Sequence, residues 1–425
     1  MRTSNIRLLS ALSALLSLSS CYRFKECGTE YGDCPESYVC VGYSAGTPGR
    51  CELTSRDDVV VDADGGKTGS CTFVQALFGT EKNSFFGNAV ASNGQSVLIG
   101  AVGGAAPIGR AYLYDGGGFS FAANSSFSQA VMVNASAVSG SFGRSVAMMG
   151  NQAIVSGVKG WSLYQDSGGG WTYRSTSSVA AGEAKALAFD GTYVAVGVLS
   201  TDNSVELRRL SDGMLCNTIR PSSGMPLSGF GEALAIANNT LLIGAYGGAG
   251  EGSVQSSALA CPGGAANAQK ILAMGGSTNF GKAIAASGAQ LLVGAPAQAG
   301  NAPSFYTYVA SGRTWPADLN GPSRDHGAAG AFEVGDALAI DSNLVVVGTP
   351  GLSGGAGGAT IYRRVGDSWV LLSEITADFP GHSAADHLID LGRSVAVSGS
   401  LVIIGAPSSE KGGTATGAAL IYRCQ

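Results

Sequence analysis

The chain has 425 residues, of which 65 are Gly, about 15% and roughly twice ordinary usage. Charged residues make up 13% and apolar residues 45%, which allows a real core and excludes wholesale disorder. Net charge is −5 with no long basic block, which excludes a dedicated nucleic-acid binder, because neutralising phosphates needs clustered Lys and Arg.

Residues 1–20 carry Arg2 and Arg7 and then an apolar stretch from Leu8 to Leu18. The stretch is short for a membrane span and reads as the core of a signal peptide. It ends in Leu18-Ser19-Ser20-Cys21, which resembles a bacterial lipobox. The resemblance implies that Cys21 is lipidated and becomes the mature N-terminus. Tyr22 follows the Cys where an inner-membrane protein would carry Asp, so the resemblance implies anchoring at the outer membrane, on the periplasmic or cell-surface side. The alternative is an ordinary signal peptide with Cys21 in a disulfide. No later segment is long and apolar enough to be a membrane-spanning helix.

Nine Cys are present, and removing Cys21 leaves an even number, as in proteins of oxidising compartments. Cys27, Cys34, Cys40 and Cys51 crowd into a small module, residues 21–51, too short to bury much surface. Two disulfides are expected to hold it, in any of three pairings; four-thiolate zinc is the rival. Residues 52–70, with Asp57, Asp58, Asp62 and Asp64 among several Gly, read as a flexible acidic linker.

From residue 71 to 425 one unit recurs. Its first signal reads Phe86-Gly87-Asn88-Ala89, Phe142-Gly143-Arg144-Ser145, Phe230-Gly231-Glu232-Ala233 and Phe280-Gly281-Lys282-Ala283. Weaker copies are Val334-Gly335-Asp336-Ala337 and Leu391-Gly392-Arg393-Ser394, and Glu183-Ala184-Lys185-Ala186 is degenerate. A second signal follows, such as Leu98-Ile99-Gly100-Ala101, Val155-Ser156-Gly157-Val158 or Leu292-Val293-Gly294-Ala295-Pro296. The two marker positions lie thirteen apart in six copies (100 − 87, for example) and fourteen apart in one (157 − 143), and the unit repeats about every 51 residues.

Each unit supplies four strands. The first opens at the first signal, and the second is a short apolar run of the kind buried on both faces. A Gly-rich loop leads to a third, alternating strand, and the fourth often opens on an aromatic: Phe119, Trp171, Trp315 or Trp369. Seven such units predict an all-β, seven-bladed β-propeller. The last unit ends on a third strand at Cys424, while Cys71–Leu77 stands alone ahead of the first. Pairing them closes blade 7 and predicts a Cys71–Cys424 disulfide, for which the chain-entropy model gives an upper estimate on the order of 5 kcal/mol. Cys216 and Cys261 lie in blades 3 and 4, and the sequence leaves their pairing open.

The Phe-Gly and Gly-Ala-Pro signals resemble FG-GAP repeats, the unit of the integrin α-subunit propeller. The resemblance implies ligand contact through the strand 2–3 loops and the connections between blades. Those loops include Val102–Gly109, Tyr246–Gly252, Pro296–Pro303, Pro350–Gly358 and Pro407–Gly417. Family calcium loops would fall between strands 1 and 2. Here those positions read Asn151-Gln152, Asn238-Asn239-Thr240, Asp341-Ser342-Asn343 and Ser398-Gly399-Ser400, without the carboxylates calcium needs, so tight hairpins are expected.

His326, His382 and His387 are the three His, all in connections leading to blades 6 and 7, with Asp325, Asp378, Asp386 and Asp390 nearby. They are the candidates for a metal or acid–base site, although their spacing matches no ligand pattern. No nucleophile elbow, zinc-protease helix or phosphate loop occurs, and no cofactor is expected. The expectation is a monomeric, non-catalytic envelope protein for binding or adhesion, with a protein or glycan partner and membrane contact through its lipid. An enzyme working at the His/Asp loops, or a structural component without a discrete ligand, are the other readings.

Overall fold

In a computed structural model, the described residues are 69–104, 109–117, 120–128, 140–168, 170–225, 228–247, 252–262, 269–272, 279–296, 304–311, 314–316, 334–366, 368–380, 383 and 385–425, together with short strands at 26–27, 38–41, 49–53, 60–61 and 67–69. The chain divides into two units, Met1–Asp58 and Val59–Gln425. In the first, Glu26–Cys27 and Tyr38–Val41 flank Gly49–Leu53 in a three-stranded antiparallel sheet, with Cys40 opposite Cys51 in the register. Cys21 and Cys34 lie outside the described residues.

The second unit is a seven-bladed β-propeller with almost no helix. The innermost strands are Phe86–Ser92, Val146–Met149, Glu183–Phe189, Leu234–Ala237, Ile284–Ser287, Ala337–Asp341 and Ser394–Ser398. Each touches the innermost strand of the next blade, and the last touches the first, so they form a ring around a channel. Blade 7 is composite. Cys71–Phe78 pairs antiparallel with Ala418–Cys424, and a disulfide joins Cys71 to Cys424. A second disulfide joins Cys216, on the outer strand of blade 3, to Cys261 beyond the third strand of blade 4.

The core is distributed. Among the described residues, seven buried clusters form, one at each junction between neighbouring blades. The apolar residue that opens six of the seven first signals fills six of them: Phe86, Phe142, Phe230, Phe280, Val334 and Leu391 are all buried. The second strands are buried along their length, as the continuous apolar runs predict. No single centre therefore holds the ring; stability comes from repeated junctions and from closure.

The structure corrects two details of the sequence reading. In blade 2 the amide of Gly143 donates to the Ser156 carbonyl at 2.9 Å, as Gly231 does to Gly244 and Gly281 to Gly294. Ser156, not Gly157, holds the second marker position, so the spacing is thirteen in this copy as well (156 − 143). Gly157 instead opens a two-residue turn to the third strand, pairing with Gly160. Trp315 opens no strand: it follows a short bridge between Ser311 and Thr314 and is buried in the junction with blade 4. Blade 5 has three strands among the described residues. Trp171 opens its outer strand as expected, Trp369 stands second in Ser368–Thr376, and Phe119 lies outside the described residues.

The strand 1–2 connections are tight. Met149 pairs with Gln152, Ala237 with Thr240, Ser287 with Gln290, Asp341 with Leu344 and Ser398 with Leu401, each across a two-residue turn. Asn238 and Asn239 both take positive φ, 48° and 55°, as a primed hairpin turn requires. These turns crowd one end of the ring, where Asn93 Nδ2 donates to the Gly150 carbonyl and the Gly399 amide to Asp341.

Candidate functional site

The opposite end of the ring, where the inner strands begin, is built differently. The buried apolar residue of the first signal anchors the chain in the junction. The Gly after it turns the backbone at positive φ, 88° at Gly143 and 92° at Gly281. The next residue is delivered to the mouth of the channel. Six blades do this and blade 3 delivers Lys185 after Glu183-Ala184, so Asn88, Arg144, Lys185, Glu232, Lys282, Asp336 and Arg393 line one cavity of about 570 Å³. Asn279, Tyr246 and Pro296 complete the wall, the last two from strand 2–3 loops.

Ion pairs and hydrogen bonds tie this ring together. Asn88 Nδ2 donates to the Arg144 carbonyl at 3.2 Å. Lys185 Nζ stands 2.5 Å from Glu232 Oε1, and the Tyr246 hydroxyl donates to Glu232 Oε2 at 2.6 Å. Lys282 Nζ lies 4.1 Å from the centre of the Tyr246 ring, a cation–π contact. Arg393 reaches Asp336 at 3.0 Å, and Arg144 reaches Glu183, at the rim, at 3.2 Å. Burial pushes the Glu232 carboxyl up, but the Lys185 and Tyr246 hydrogen bonds and the charges of Lys185 and Lys282 outweigh it and hold the group below the usual carboxylate range. Burial and the Glu232 acceptor push the Tyr246 phenol well up.

Below the mouth the same strands present small and apolar side chains, among them Val90, Ala147, Met148, Ile236, Ala285 and Ala396. They line a second cavity of about 260 Å³. The channel is thus charged at one end and lined by uncharged side chains along its wall.

The His/Asp candidates lie elsewhere. His326 and His382 are outside the described residues. His387 exchanges two backbone hydrogen bonds with Glu410, at 3.0 and 2.8 Å, and its side chain is exposed. Asp386 accepts from the amides of Gly412 and Ser383, and the Gly412 bond above all holds its carboxyl below the usual carboxylate range. Asp390 accepts from the Ser408 hydroxyl at 2.5 Å. These carboxylates act as acceptors that shape their own loops, and no group of three His, Cys, Asp or Glu among the described residues is placed to hold a metal.

The sequence favours the strand 2–3 loops, with the His/Asp loops as the rival site, and the ring goes unnoticed although its signal is present. The residue after the Gly of the first signal, or after Ala184 in the degenerate copy, is polar or charged every time. Of the strand 2–3 loops, Tyr246 and Pro296 reach the mouth; 105–108, 248–251 and 297–303 lie outside the described residues. No protein-family model and no curated protein matches this chain.

Proposed function

We propose that the chain is an exported, non-catalytic binding protein of the bacterial envelope, held at the outer membrane by lipid on Cys21 and built from FG-GAP-like repeats. It takes a protein or glycan partner on the face where the inner strands begin. The observation that carries this reading is the convergence of seven side chains, one per blade, into a single cavity at the mouth of a closed ring. A rigid scaffold that aims variable polar groups at one concave site suits recognition. The lipobox-like Leu18-Ser19-Ser20-Cys21 supports the anchor. The close Gly–Gly approaches between blades supply a physical reason for the FG-GAP-like markers.

Crosslinking pull-down from intact envelopes, followed by membrane fractionation, tests the proposal. One stoichiometric partner is expected, and Cys21→Ser should release the protein from the membrane fraction. An absence of any partner, together with unchanged membrane retention of Cys21→Ser, would overturn it.

A further inference from the structure

We infer that the channel mouth is a binding site for an oxyanion: a carboxylate, sulfate or phosphate group carried by a small ligand or by the end of a larger one. This inference rests on the binding reading above and narrows its ligand.

The charge balance points to an anion. The cavity is lined by four cations, Arg144, Lys185, Lys282 and Arg393, against two anions, Glu232 and Asp336. The chain as a whole is at −5, so positive charge is concentrated at this mouth against the trend of the molecule. The two carboxylates are engaged by Lys185 and Arg393. That leaves Arg144 and Lys282 as the excess. Arg144 meets Glu183 at the rim, where the carboxylate side chain is 47% exposed and water weakens the pair. Lys282 makes its contact with the Tyr246 ring, which holds the ammonium without neutralising it. A guanidinium from blade 2 and an ammonium from blade 5, both lining one cavity, are the donors that oxyanions prefer.

The channel wall fixes where such a group stops. Beneath the ring the lining side chains are uncharged, and an anion moving deeper would leave the Arg144 and Lys282 donors without gaining a charged partner. The anion is therefore held at the ring, and whatever bears it remains on the outer face.

Titration calorimetry on the full-length protein tests this, with sodium sulfate and glucuronate as probes and glucose as the neutral control. Both anions are expected to bind and glucose is not; tighter binding of glucuronate assigns a sugar acid as the source, and tighter binding of sulfate a free inorganic anion. Lys282→Gln and Arg144→Gln should each weaken anion binding about tenfold, the scale of one lost charge-assisted hydrogen bond. Lys282→Arg should retain it. Glu232→Gln removes an opposing charge and should tighten it, a direction that misfolding would not produce. Absence of anion binding at millimolar concentration overturns the inference, as does binding that ignores all of these variants. If the envelope partner is still captured while anion binding is absent, this inference falls and the binding proposal stands. If anions bind as described and no partner is captured, the oxyanion site stands and the proposal of a macromolecular partner falls.

Discussion

The carbonyl oxygen of Gly143 in blade 2 occupies the space that a Cβ on Gly100 of blade 1 would need. The same approach recurs between Gly197 and Gly231, Gly244 and Gly281, Gly294 and Gly335, Gly348 and Gly392, and Gly405 and Gly87. Six of the seven junctions are therefore closed by paired glycines, the second marker of one blade against the first marker of the next. The repeat motif is the sequence trace of this contact.

Gly244→Ala is expected to destabilise the propeller by roughly 2–3 kcal/mol, because the new methyl meets a backbone carbonyl that cannot move without parting two blades. Gly288→Asn, at a hairpin turn with φ of 57° and open space around it, should change stability by less than about 1 kcal/mol. Chemical denaturation of both variants checks the pair; equal effects would contradict the account.

The junction between blades 2 and 3 departs from the rule at both positions. Ser156 stands where the other blades have the second-marker Gly, and Ala184 where they have the first. Both are buried, and Ala184 packs in the cluster around Trp161. Restoring the motif with Ala184→Gly should therefore cost about 1 kcal/mol, from lost burial and added backbone freedom. A gain in stability would show that this junction is a defect instead of an alternative packing.

Removing the Cys71–Cys424 bond should cost more than removing Cys216–Cys261. The bridges span 353 and 45 residues, and the chain-entropy model gives on the order of 5–6 and 4 kcal/mol as upper values. Thermal unfolding of Cys71→Ser/Cys424→Ser and Cys216→Ser/Cys261→Ser double variants measures the order. Only the first bond clamps the strand pair that closes the ring, so its loss should also broaden the transition.

Glu232 gives the stability of the mouth a pH dependence of known sign. Its carboxyl titrates below the usual range in the folded protein, so its pairing stabilises fully above the unfolded pKa, near 4.3, and that contribution is lost as pH falls through the lower folded value. Glu232→Gln should flatten this acid limb while leaving the disulfide-linked closure intact. Denaturation midpoints measured between neutral and acid pH check it; parallel curves for the two proteins would contradict the assignment.

The fold was legible because the repeat is physical: each marker meets a backbone, so its spacing cannot drift. Where it seemed to drift, at Gly157, a hairpin glycine sat beside the true position and Ser156 hid it. The closing strand was legible because one element was missing at the C-terminus and one was spare near residue 71. The candidate site was harder. Its residues are about 50 apart in sequence and of mixed type, and only the ring geometry brings Arg144, Lys282 and Arg393 together. His and Asp stood out by rarity and chemistry, yet Asp386 and Asp390 hold their own loops.

The most direct test is crosslinking capture from intact envelopes with a negative charge introduced at either end of the channel. Lys282→Glu alters the charged mouth, and Gln95→Glu alters the exposed hairpin end. The account requires partner capture to collapse with Lys282→Glu and to persist with Gln95→Glu. Capture that survives Lys282→Glu, or that is lost with Gln95→Glu, would place recognition away from the mouth and contradict it.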